Sequence, residues 1–120
     1  MTLTLHGIRN CDTMKKARAW LDAHGVDYQF HDYKTQGIDA GSLRRWVAAL
    51  GEARVLNRAG TTFRKLPDDV QAGLTTDSAI TLMVEQPSMI RRPLLEGEWQ
   101  GRPVLAAGFK PEDYAALLKS

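Results

Sequence analysis

The strongest constraint on this chain's fold is a change of hydrophobic period, made twice in its first third. Thr2-Leu3-Thr4-Leu5-His6 alternates with the period of a strand, and Gly7 breaks the run. Met14, Ala17 and Leu21, with the neighbouring Trp20, then recur at helical spacing, while Lys15, Lys16, Arg18 and Asp22 fall on the other side. The pattern predicts a strand over 2–6 and a helix over about 12–24, with Gly25 as its stop. From Val26 to Tyr33 the alternation returns, with Val26, Tyr28 and Phe30 on one face. Strand, helix and strand so close together make a βαβ unit, with parallel strands and a right-handed crossover.

The remainder extends this start. Lys34 to Gly41 reads as a loop, and Ser42 opens a helix with Leu43, Trp46, Val47 and Leu50 on one stripe, ended by Gly51. Val55-Leu56 is a short apolar patch, Asn57 to Thr62 a polar turn, and Phe63 to Leu66 one helical turn stopped by Pro67. Thr75, Thr76 and Asp77 are candidate caps for a helix through Glu85, with Ala79, Ile80, Met83 and Val84 apolar. Leu94-Leu95 begins a strand, Glu96 to Arg102 reads as a turn, and Pro103 to Ala107 as a further strand, giving an antiparallel hairpin. Pro111 suits the first position of a last helix with Tyr114, Leu117 and Leu118 as its stripe. The expected fold class is α/β or mixed, one domain over 1–120, with a helical insertion at about 42–85.

Composition narrows the function classes. A net charge of +2 is too small to argue for direct nucleic-acid or membrane binding. No apolar run approaches a membrane span, and no signal peptide is visible. A single cysteine excludes an internal disulfide, argues against a thiolate metal site and fits a reducing cytoplasm.

That cysteine, Cys11, falls where the first strand hands over to the first helix. Open α/β sheets commonly bind ligands at the carboxyl end of their strands. The first N–H groups of a helix lack intrahelical partners and, with the helix dipole, favour an anion. A thiolate is such an anion and is the reactive form of cysteine. An ordinary thiol with pKa about 8.5 is only about 3% ionised at pH 7, so a drop of about two units makes the thiolate the major form. Arg9, Lys15 and Lys16 add positive charge nearby, and Thr13 or Asn10 are candidate hydrogen-bond donors to the sulfur. Asp12 works against activation if close, unless it accepts helix N–H bonds. The polar and flexible flanks, Gly7, Arg9, Asn10 and Asp12, point to a partly exposed thiol rather than an inert buried one. His6 and His31 close the two strands nearby; strand-end histidines are more often structural than catalytic.

With these elements placed, the chain resembles the arsenate reductase (ArsC)/Spx family, within it the YffB-like branch, over nearly its whole length. The residues that carry the resemblance are Asn10 to Ala17 with Trp20-Leu21, Tyr28 to Tyr33, Leu56 to Leu66, and Ile90-Arg91-Arg92-Pro93-Leu94. The resemblance implies a thioredoxin-like fold with a helical insert. Cys11 matches the family's nucleophile, Arg92 an arginine that contacts the bound oxyanion, and Arg92–Pro93 the cis-proline that holds backbone beside the thiol. Arsenate reductases carry three arginines around the cysteine. Here Asn57 aligns with the first, with Arg58 one place later, and the third falls near Phe109 and Lys110. A bare trivalent-size oxyanion loses much of its charge pairing on that set. Spx-type regulators often carry Cys-x-x-Cys, whereas the position three after Cys11 is Met14.

A lone activated thiol attacks a disulfide or an oxidised substrate, forms a mixed disulfide and needs an outside thiol for release. Glutathione, alone or with glutaredoxin, is the natural co-substrate, with carboxylates for Arg92, Arg58, Arg9 or Lys16 to bind. The expectation is therefore an oxidoreductase, a glutathione-dependent thiol–disulfide reductase acting on a small-molecule or protein disulfide. Cys11 is its nucleophile; Asn10, Thr13, Lys16, Asn57, Arg58, Arg92 and Pro93 form its binding residues; no metal is required. Arg91 is expected to face solvent, and Asn57-Arg58 also fits a capped turn without a ligand. The alternatives are an Spx-like regulator that binds the RNA polymerase α subunit, and a genuine arsenate reductase.

Overall fold

The computed structural model of the protein describes residues 2–9 and 11–118. It is an α/β fold: a four-stranded mixed sheet interrupted by a helical insertion. The strands are β1 (Leu3–Gly7), β2 (Gln29–Asp32), β3 (Leu94–Trp99) and β4 (Arg102–Ala107), in the order β2-β1-β3-β4. β1 and β2 run parallel, with Leu5 opposite Phe30; β3 is antiparallel to both β1 and β4. Helix α1 (Asp12–Ala23) makes the crossover between the parallel pair, as the period change predicts.

The chain divides into two compact units, one running up to Asp32 and resuming at Arg92, the other Tyr33–Arg91. In the first unit, register and alternation put Leu3, Leu5, Leu95 and Val104 on one face of the sheet. Met14, Ala17 and Leu21 of α1, and Tyr114 of the last helix with Leu118 at its end, close over that face as a continuous buried core. Two glycines make this layer possible. Gly25, at φ 66, ends α1 in a Schellman turn: Val26 N–H donates to the Leu21 carbonyl at 3.0 Å and Gly25 N–H to that of Asp22 at 3.2 Å. Gly7, the last residue of β1, has no room for a Cβ, which would run into the Met14 thioether. The first turn of α1 therefore lies directly on the end of β1.

The second unit is helical: α2 (Tyr33–Gln36), α3 (Ala40–Leu50), α4 (Glu52–Val55), α5 (Thr61–Arg64), α6 (Asp68–Ala72) and α7 (Thr76–Glu85). A 3₁₀ turn, Pro87–Met89, follows. Leu43, Trp46, Phe63, Ile80, Met83 and Met89 are buried there. An isolated antiparallel bridge, Leu56 to Ile90, ties the middle of this unit to its C-terminal end, flanked by Asn57 N–H to Met89 carbonyl at 2.8 Å and Arg91 N–H to Val55 carbonyl at 2.7 Å. Thr75 and Ser78 form a capping box on α7, the start its threonine cluster predicts.

Several boundaries differ from the sequence expectation, each for a local reason. The second strand is shorter than 26–33, because Val26 is consumed by the Schellman turn and Tyr33 begins α2. The helical stretch is wider than 42–85, because α2 precedes it and α3 starts at Ala40 behind an Asp39 cap; Asp39 accepts from Ser42 N–H at 3.2 Å and Ser42 Oγ at 2.6 Å. The single turn expected at Phe63 to Leu66 starts earlier, at Thr61. Glu96 to Arg102 is not all turn: β3 continues to Trp99, and only Gln100 (φ 52) and Gly101 (φ 76) reverse the chain. Both positive φ angles suit the right-handed twist of a hairpin. Val84, read as apolar interior, stands 37% exposed. The last helix, α8 (Pro111–Leu117), opens at its proline as expected. Among the described residues no helix is long and apolar enough to cross a membrane.

Candidate active site

Cys11 is the N-cap of α1. Its backbone is extended (φ −107, ψ 134), and its carbonyl accepts the first helical bond, from Lys15 N–H at 3.0 Å. This geometry leaves the side chain facing the unpaired N–H groups of the first turn. The sulfur is half-buried and packs against the rim of the α1 core. Burial pushes its pKa up, but the Met14 N–H, the Thr13 N–H and the charge and hydrogen bond of Arg92 together outweigh it, so the thiol lies below its ordinary value. The thiolate is thus favoured without being sealed from solvent.

Arg92 arrives from the other end of the chain. It precedes β3, which pairs with β1, so the register that sets Leu94 opposite His6 also brings residue 92 to the end of β1. The Arg92–Pro93 peptide bond is cis. The Pro93 carbonyl is occupied by Gly108 N–H at 2.8 Å.

Of the residues singled out in the sequence, Cys11, Thr13, Arg92 and Pro93 come together in the first unit. Thr13 contributes through its backbone N–H. Asn10 lies outside the described residues. Lys16 is on the exposed side of α1. Asn57 and Arg58 belong to the second unit. There the Asn57 carbonyl accepts Gly60 N–H at 3.3 Å, and Arg58 pairs with Glu52 at 2.8 Å over the Phe63 ring. Arg91, expected to face solvent, instead donates its Nε to the Arg54 carbonyl at 2.8 Å. His6 is buried on the sheet face opposite Leu5, its Nε2 3.7 Å from a Glu96 carboxylate oxygen and its ring 5.1 Å from that of His31.

One cluster on the same elements leaves no signal in the sequence. Arg18 of α1 stacks on Phe30 of β2, with its guanidinium 5.0 Å from the ring centre, and donates Nε–H to Tyr28 Oη at 3.2 Å. Only the β1–β2 register reveals it. Among the described residues, no group of three or more His, Cys, Asp or Glu is gathered as a metal site would require.

Residues 6–117 match the model of the ArsC family. This chain belongs to the ArsC family. Within that family it is similar to a solved YffB protein, at 59% identity over 97% of this chain and 98% of the other, with a TM-score of 0.87. It is also similar to a solved arsenate reductase-related protein from Brucella melitensis, at 53% identity over 100% and 97% of the two chains, TM-score 0.74. A global transcriptional regulator, Spx 1 of Lactococcus lactis, is 30% identical over 91% of this chain and 83% of its own length. The proteins this chain is similar to thus include one named as arsenate reductase-related and one named as a transcriptional regulator.

Proposed function

We propose that this ArsC-family chain is a glutathione-dependent thiol–disulfide reductase with one nucleophile, Cys11, working in a reducing cytoplasm. The Cys11 thiolate attacks the glutathione sulfur of a mixed disulfide R–S–S–G. The S–S bond between R–S and the glutathione sulfur breaks, R–S⁻ leaves and takes a proton from solvent, and Cys11–S–S–G forms. A second glutathione thiolate attacks that adduct, releasing oxidised glutathione and restoring the Cys11 thiolate. The R sulfur is reduced from disulfide to thiol as the incoming glutathione sulfur is oxidised from thiol to disulfide, and the glutathione sulfur already in R–S–S–G is unchanged, so electrons balance without a second cysteine in the chain. Glutaredoxin can serve as the external thiol in the second step.

The observation that supports this reading is Cys11 as the extended, half-buried N-cap of α1, with its thiol held below the ordinary value, against the effect of burial, by the Met14 and Thr13 N–H groups and Arg92. These groups stabilise the attacking thiolate. They also stabilise it as leaving group in the second step, where a low-pKa thiol departs faster. The likeness to a protein named as arsenate reductase-related over almost the whole chain supports a reductase reading. The test is mass spectrometry after exposure to oxidised glutathione. A glutathione adduct on Cys11, removed by reduced glutathione and absent in Cys11→Ser, is the expected result; a Cys11→Ser variant with full reductase activity refutes the reading.

A second reading is suggested by the similarity to Spx 1, named a global transcriptional regulator: this chain acts as a regulator, and the partner we propose for that role is the RNA polymerase α subunit. Pull-down with the C-terminal domain of that subunit decides it, and no complex at micromolar concentration removes it. Arsenate reduction is decided by arsenate turnover with glutathione and glutaredoxin.

A further inference from the structure

Phe30 carries two guanidiniums, not one. Arg18 lies 5.0 Å from its ring centre and Arg9 5.9 Å. Arg9 belongs to the same β1–α1 loop as Cys11. Arg18 follows Cys11 by two helical turns, on the same side of α1 and roughly 10 Å along its axis. Among the described residues neither guanidinium has a carboxylate within ion-pair distance, although Asp12, Asp22, Asp27 and Asp32 lie on the same elements or beside them. Two cations gathered on one ring repel each other, and stacking on the open face of the half-buried Phe30 returns only about 0.5–1 kcal/mol each. Stacking also leaves the edges of the guanidiniums, where the N–H donors point, available; Arg18 spends only Nε on Tyr28. Such a pair is complementary to a carboxylate, which planar guanidiniums bind through parallel charge-assisted bonds.

Resting on the reductase reading above, we propose that Arg9 and Arg18, held on Phe30, form a carboxylate subsite for the glutathione group whose sulfur meets Cys11. The spacing fits. Cysteine is the central residue of glutathione, so its sulfur and a terminal carboxylate lie closer together than the roughly 10 Å of the whole extended tripeptide, and the rest of the distance is covered by the long Arg18 side chain, which leans toward the N-terminus of α1 as helical side chains do. Arg92 then serves the sulfur and the Arg9–Arg18 pair serves the peptide, which makes the pair a determinant of specificity for glutathione over uncharged disulfides.

The test compares the wild-type chain with Arg9→Gln, Arg18→Gln, the double variant and Phe30→Leu. Rates of mixed-disulfide formation at Cys11 are read with oxidised glutathione and with bis(2-hydroxyethyl) disulfide, which has no carboxylate. The double variant is expected to slow the first about tenfold and the second less than twofold, the loss of one good charge-assisted contact. Phe30→Leu, which keeps both charges but removes their platform, is expected to fall between. Independently of any chemistry, the affinity for S-methylglutathione, which cannot react with Cys11, is read by NMR titration and is expected to drop about tenfold in the double variant. Arg9→Gln, an exposed change, keeps the comparison open if Arg18→Gln fails to fold. Equal slowing with both disulfides, an unchanged S-methylglutathione affinity, or no binding of it to wild type overturns the subsite. A wild-type Cys11 that reacts with neither disulfide overturns the reductase reading, and the S-methylglutathione titration still decides the subsite.

Discussion

Arg92 hydrogen-bonds the sulfur of Cys11, although the whole helical unit lies between them in sequence. The contact follows from sheet topology: β3 lies antiparallel beside β1, so the residue entering β3 stands where β1 ends and the thiol loop begins. Removing this one charged donor tests how much of the thiol's activation comes from the far end of the chain. Arg92→Gln is expected to raise the Cys11 pKa and to slow mixed-disulfide formation at pH 7 about tenfold, since a hydrogen bond to a charged group is worth about 1.5–3 kcal/mol. The residual reactivity is the share of the Met14 and Thr13 N–H groups. Stopped-flow alkylation across pH measures both.

Gly7 and Met14 set the position of the helix end. A Cβ at residue 7 meets the buried Met14 thioether, so Gly7→Ala forces the Met14 side chain out of its packed place in the core and, where that cannot give, the first turn of α1 with it. The variant is expected to lose about 1–3 kcal/mol of stability, the usual cost of overpacking. It is also expected to react more slowly at Cys11, because the N–H groups that face the sulfur move with the turn. Urea denaturation and the alkylation rate check the two effects separately.

Tyr114 offers a test of the core under the sheet. Its ring meets Trp20 and Phe109 edge-on, at centroid distances of 5.6 and 4.8 Å, and its buried hydroxyl has no protein hydrogen-bond partner among the described residues. Tyr114→Phe is expected to be neutral or to stabilise the fold by about 1 kcal/mol. Burial also raises the Tyr114 pKa well above its ordinary 10.0. A raised acid pKa gives stability that is complete below the unfolded value and is lost as pH climbs above it. Thermal melts above pH 10 should therefore show a shallower loss in Tyr114→Phe than in wild type.

Much of this could be read from residues alone where period and punctuation agreed. The β1–α1–β2 start, the Gly25 stop, the Thr75 cap and the Pro111 start were legible because each uses short-range chemistry: alternation, a left-handed glycine, a capping hydroxyl, a ring without an N–H. The Cys11 position was legible for the same reason, as a helix N-cap follows from the strand before it and the stripe after it. What was not legible depended on register. Glu96 and Gly97 look like a turn until their cross-strand partners Leu105 and Val104 are known. The Arg18–Phe30 stack needs β2 laid beside β1, and the Glu52–Arg58 and Arg54–Arg91 contacts need the Leu56–Ile90 bridge to fold their unit.

The lowered Cys11 pKa has a second, thermodynamic consequence. A depressed acid pKa adds stability that is present above the ordinary thiol value and is lost as pH falls through the folded one. Wild type is therefore expected to gain more stability than Cys11→Ser as pH rises across that window, and the difference between their denaturation midpoints against pH measures it.

The measurement that bears most directly on the proposed mechanism is the pH dependence of the reaction of Cys11 with oxidised glutathione, followed by adduct mass. The expected result is a glutathione adduct on Cys11 and a rate that rises through a midpoint below the ordinary thiol value of about 8.5, moving upward in Arg92→Gln. A midpoint at or above about 8.5 in wild type, unmoved by Arg92→Gln, or no adduct at all, contradicts the mechanism.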